Sequence, residues 1–78
     1  MRLDAASANP GEWLIGFSAI AGDNNMSASG DLAQAAARLF DALHAADASG
    51  RKAIAVAPIP KTGIGEAIND RLMRAATR

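Results

Sequence analysis

An α/β layer with a short, partly parallel sheet and two main helices is the fold this sequence predicts. Two apolar runs and two periodic stretches carry the prediction. Ala53-Ile54-Ala55-Val56-Ala57 is short and uncharged, which suits a strand covered on both faces, and Trp13-Leu14-Ile15-Gly16-Phe17 is a second apolar run. Helical periodicity fills the interval from about Asp31 to Ala48 and returns after Gly63. A helix lying between strands needs a crossover, and a crossover makes neighbouring strands parallel.

Taken in order, Arg2 to Asp4 is expected as a short first strand, and Asn9-Pro10-Gly11 as a turn. Trp13 to Phe17 follows as a strand with apolar residues on both faces. Ala21-Gly22-Asp23-Asn24-Asn25 reads as a loop, and Asn25-Met26-Ser27 as a brief edge strand. Asp31 with Gln34 makes a D-x-x-Q variant of the capping box, and Ser29 is an equally good N-cap. The helix stops at Ser49-Gly50. Its inward stripe is expected at Leu32, Ala36, Leu39, Leu43 and Ala46, flanked by Ala35 and Phe40. Arg51-Lys52 leads into the strand at Ala53, placed at the centre of the sheet, by a right-handed crossover from the strand around Trp13 or Met26. Pro58 and Pro60 end that strand, since each lacks an N–H and fixes φ. Gly63 and Gly65 permit a sharp turn, and the last helix carries Ile64, Ala67, Ile68, Leu72 and Ala75 on one face. Trp13, Phe17 and Phe40 are the aromatic residues and many other apolar positions are alanine, so helices should lie close to the sheet over a thin core.

Seventy-eight residues suit one domain spanning 1–78. A chain of this size buries only about 60% of its extended surface, so a homodimer or a docked partner would cover remaining apolar area. Eight basic and eight acidic residues give no net charge. Nucleic-acid binding rests largely on a basic excess, so direct RNA binding by this chain is not expected. Arg71, Arg74 and Arg78 gather late, where positive charge suits a helix C-terminus. Cysteine is absent, which removes disulfides and thiolate metal sites. No apolar run approaches the roughly 18 residues that span a membrane, and Met1-Arg2-Leu3-Asp4, with its early acid, is not expected to begin a signal peptide. A cytoplasmic location is the expectation.

No constellation for catalysis or metal binding stands out, and no cofactor is expected. Thr62-Gly63-Ile64-Gly65 is neither a Walker A loop nor a complete G-x-G-x-x-G. Lys61 and Thr62, with the backbone N–H groups of Gly63 and Gly65, are candidates to bind an anion at the helix start. The competing reading is a loop shaped only by packing. Asn69, Asp70, Arg71 and Arg74 occupy the outer side of the last helix and are candidates for a docking surface; Asp70 and Arg74, four apart, also read as a simple surface pair. His44 lies one turn after Phe40 without a second ligand or nucleophile at useful spacing, so it reads as a boundary residue, with Asp41 and Asp47 on a solvated flank. Trp13 is either a core anchor or, if exposed, a binding residue.

Pro58-Ile59-Pro60-Lys61-Thr62-Gly63-Ile64-Gly65-Glu66-Ala67-Ile68-Asn69-Asp70-Arg71-Leu72 resembles the end of the C-terminal domain of long-form threonylcarbamoyl-AMP synthases. Ser27-Ala28-Ser29-Gly30-Asp31-Leu32-Ala33-Gln34-Ala35-Ala36-Ala37-Arg38-Leu39-Phe40 is similar to that domain's first long helix and its cap, and Arg2 to Ala5 and Pro10-Gly11-Glu12 to its entry. The resemblance implies a small Rossmann-like domain and a relationship to tRNA threonylcarbamoylation. In the long-form enzymes this domain follows a larger catalytic domain that makes threonylcarbamoyl-adenylate from threonine, bicarbonate and ATP. This chain has no room for that domain, so none of the family's catalytic residues transfers to it. The reading is a non-catalytic accessory module, not an enzyme, whose partner is a separate synthase catalytic domain. The alternative is a small phosphate- or nucleotide-binding domain using the Lys61–Gly65 turn.

Overall fold

A computed structural model describes residues 1–76; Arg78 lies outside the described residues. Five elements follow in order: β1 (Glu12–Gly16), β2 (Asn24–Asn25), α1 (Leu32–Ala48), β3 (Ala53–Val56) and α2 (Ile64–Ala76). The strands form one sheet in the order β2-β1-β3, and both pairings are parallel. Trp13 stands opposite Ile54 and Ile15 opposite Val56, while Ile15 and Gly16 meet Asn24 and Asn25 on the other edge. The structure is thus the small Rossmann-like α/β layer expected, with β1 rather than β3 in the middle.

β3 is still covered at its outer edge. Arg2 N–H donates to the Ile54 carbonyl and the Arg2 carbonyl accepts from Val56 N–H, both at 2.9 Å. The expected strand at Arg2 to Asp4 shrinks to this single bridge because Asp4 takes φ 55 and turns the chain off the edge. Ala5 then donates to the Val56 carbonyl and buries itself against Leu14 and Ala55. Glu12, only 8% exposed, fastens this strap from below. Its carboxylate accepts from Arg2 Nη2 at 2.7 Å, Arg2 Nε at 3.1 Å and Asn9 N–H at 2.7 Å. These bonds, led by the Arg2 guanidinium, hold the Glu12 carboxyl well below its usual range, at about 2.

The expected edge strand falls a residue or two earlier, at Asn24–Asn25, because Met26 and Ser27 turn fully into the interior. Ser27 Oγ accepts from Asp31 N–H at 2.9 Å and donates to Gln34 Oε1 at 2.6 Å, so it anchors the start of α1. Asp31 is the N-cap, accepting from Ala33 and Gln34 N–H. The return arm of the box therefore runs through Ser27 instead of from Gln34 to the cap.

α1 buries Ala35, Leu39, Ala42 and Ala46. That stripe is turned from the expected one: Ala36 and Phe40 face solvent, and Leu32 and Leu43 sit half-buried at the flanks. Alanines let the helix approach the sheet closely, and bulkier residues fit better beside the contact than under it. α2 lies alongside α1 and buries Gly65, Ile68 and Leu72. Both helices share one core cluster with Ile15 and Val56, whereas Leu14 and Ala55 belong to the cluster under Ala5. Successive strand residues point to opposite faces, so the helices cover one face of the sheet and the N-terminal strap the other.

Candidate functional site

At the carboxyl ends of β1 and β3 the chain leaves an open depression of about 580 Å³, lined by Asp4, Phe17, Ser18, Ile20, Pro58 and Lys61 among others. The strand order reverses here, with β2 on one side of β1 and β3 on the other, the position at which α/β sheets bind ligands. Phe17 and Ile20 exchange both backbone hydrogen bonds around a two-residue turn, with Ser18 at φ 57. Of Lys61, Thr62, Gly63 and Gly65, Lys61 lines the depression; its Nζ lies 3.2 Å from the Asp4 carboxylate. Thr62 and Gly63 are exposed.

The turn itself is closed by its own chain. Gly65 N–H donates to the Thr62 carbonyl at 3.0 Å and Glu66 N–H to the Gly63 carbonyl at 3.1 Å, so two of the first N–H groups of α2 are already engaged. Asn69 Nδ2 donates to the carbonyls of Ile59, Pro60 and Gly65, clasping the Pro58–Pro60 segment to the helix. Gly65 is buried, and a Cβ there would overlap the Pro60 carbonyl oxygen. Gly63 sits at φ 57 in open space. Gly65 therefore serves close packing, and Gly63 the direction of the turn.

The outer face of the helix pair is open. Phe40 is 60% exposed and Ile64 48% exposed. Between them runs a hollow of about 240 Å³, lined by Ala36, Leu39, Phe40, Ile64, Ala67 and Arg71 among others. A second hollow of about 410 Å³ adjoins it and again includes Phe40 and Arg71, with Leu43 and His44. The Arg71 guanidinium carbon lies 5.1 Å from the centre of the Phe40 ring, within cation–π range. Among the described residues Arg71 has no carboxylate partner. Arg74 pairs with Asp70 at 2.9 Å.

The docking candidates on α2 border different hollows, joined through the Asp70–Arg74 pair. Arg71 and Arg74 border the hollows shared with α1. Asn69 and Asp70 border a different hollow with Lys61, Glu66 and the exposed Met73. Trp13 lies away from both sets: half-buried against the main core, its Nε1 donates to Asn24 Oδ1 at 3.1 Å and Arg51 lies over its ring. It anchors the β1–β2 edge. Phe40, read from the sequence as a flank of the buried stripe, is the exposed aromatic of the face; the bulk of Phe40 beside Ala36 and Ala37 was the available signal. His44 is exposed. Among the described residues no group of three or more histidine, cysteine or acidic side chains is placed to hold a metal ion, and no helix is long and apolar enough to cross a membrane.

Comparison with known families decides the relationship. The family model described as threonylcarbamoyl-AMP synthase, C-terminal domain, matches residues 3–77. The chain belongs to that family. Comparisons with curated proteins and with solved structures gave no match. Membership in the threonylcarbamoyl-AMP synthase C-terminal domain family relates the chain to tRNA threonylcarbamoyladenosine formation. It also places the chain with the accessory part of the synthase and not with its catalytic part.

Proposed function

We propose that this domain is a non-catalytic accessory module in tRNA threonylcarbamoyladenosine formation, acting in the cytoplasm by docking on a threonylcarbamoyl-AMP synthase catalytic domain. The observation that carries the reading is the match of residues 3–77 to the synthase's C-terminal domain family. The open, apolar outer face of α1 and α2 supports it, since exposed apolar patches on small domains mark interfaces.

The alternative, a phosphate or nucleotide held by the Lys61–Gly65 turn, has less support. Two of its first helical N–H groups are engaged and its lysine faces the Asp4 carboxylate. Both readings meet in one experiment: isothermal titration of the chain with a synthase catalytic domain, and separately with ATP. Micromolar or tighter binding to the catalytic domain with no heat from ATP is expected. Heat from ATP alone would transfer the function to the turn, and silence in both titrations would remove the docking role.

A further inference from the structure

Resting on the docking role just proposed, we infer that the groove between α1 and α2 is the docking surface, and that it receives an apolar side chain flanked by a carboxylate on the synthase catalytic domain. Shape and charge at the groove lead to this partner chemistry. Its floor is Ala36, Leu39 and Ala67, small or buried side chains that leave a hollow of about 240 Å³, room for one large apolar side chain. Phe40 and Ile64 stand exposed at its sides, apolar area that a covering chain would remove from water.

Arg71 supplies the polar half of the argument. Its guanidinium rests on the Phe40 ring and, like Arg38 and Lys52, meets no carboxylate among the described residues, whereas Arg2, Arg51, Lys61 and Arg74 each face one. A planar cation held on an aromatic face keeps its fork of N–H donors directed outward, in the geometry that binds carboxylates in pairs of hydrogen bonds. Exposed aromatic and arginine side chains at an apolar centre are also the residues on which binding energy concentrates. Phe40 and Arg71 line both adjoining hollows, so they form the wall that the two share.

The test is titration of the catalytic domain with wild-type chain, Phe40→Ala, Arg71→Gln and Met73→Ala, each at several salt concentrations, with sedimentation of the chain alone. Phe40→Ala should weaken binding about tenfold or more, as loss of a central aromatic does. Arg71→Gln should weaken it and flatten its salt dependence, because salt screens the attraction between Arg71 and a partner carboxylate. Met73→Ala, on the opposite flank of α2, should leave affinity unchanged. Wild-type binding that ignores both Phe40→Ala and Arg71→Gln would overturn the surface while leaving the docking role standing. Absence of wild-type binding would overturn both. A wild-type dimer that Phe40→Ala dissolves would assign the groove to a second copy and overturn the inference.

Discussion

The carboxyl end of the sheet and the outer face of the helix pair differ in how far the chain satisfies itself. At the sheet's end, most of what reads as a ligand loop has an internal partner: Lys61 faces Asp4, two of the early N–H groups of α2 bond within the turn, and Asn69 holds the strand exit. On the helix face, Phe40 and Ile64 are uncovered, and Arg71 lies on the Phe40 ring with no carboxylate partner among the described residues. A glycine-rich turn after a strand looks functional in sequence because its residue types are unusual. Close packing demands the same residues, and only the partners distinguish the two. An alanine-rich helix pair looks purely structural, yet it leaves the surface with most to gain from a partner.

Substitutions can break that contrast, the strongest at the closed end. Gly65→Ala places a Cβ against the Pro60 carbonyl and should cost about 3 kcal/mol. At about 4–8 °C per kcal/mol for a domain of this size, the melting temperature should fall by roughly 12–24 °C. Gly63→Ala, strained in φ but free of clashes, should cost about 1–2 kcal/mol. Equal melting temperatures for the two variants would mean that Gly65 is not packed against the strand exit. Asn69→Ala leaves three carbonyls without their clasp and should cost about 1–2 kcal/mol in denaturant unfolding.

The strap that brings Asp4 to this end should be acid-sensitive through Glu12. Its carboxyl is held at about 2 in the fold against an ordinary 4.5. The folded state therefore favours the ionised form, which adds stability above pH 4.5 that is lost as pH falls toward 2. Wild type should be more stable than Glu12→Gln at neutral pH, and the gap should close across that interval. A gap independent of pH would show that the Arg2–Glu12 pair does not fasten the strap through charge. At the open face the effects should be smallest: Phe40→Ala should change stability by no more than about 0.5 kcal/mol, since the side chain is mostly exposed. A larger loss would make Phe40 a core residue and erase the contrast.

The two regions also differ in what could be read before folding. β3, most of β1 and α2 follow from apolar runs and from Pro58, Pro60 and Gly63, each acting on its immediate neighbours, while the start of β1 at Glu12 lies outside its apolar run. The cap at Asp31 is local too, though Ser27 as its second arm is visible only once Met26 has turned inward. The rotation of α1 was hidden because alanine at so many positions supports more than one apolar stripe, and Ala42 rather than Ala36 is the one pressed to the core. Arg2 beside Ile54 depends on a contact across most of the chain, and Glu12 beneath it on one ten residues away, neither of which a local pattern encodes. The same long-range folding fixes the partners of the candidate residues. It puts Lys61 against Asp4, Asn69 against the strand exit and Arg71 against Phe40, and so separates residues that stand close in sequence.

The measurement that bears most directly on the docking claim is an amide NMR titration of the isotope-labelled chain with unlabelled synthase catalytic domain. The expected result is a cluster of shifted signals at Phe40, Leu43, Ile64, Ala67 and Arg71, with Lys61, Thr62 and Gly63 unmoved. Shifts centred on the Lys61–Gly65 turn, with the α1–α2 face silent, would contradict it.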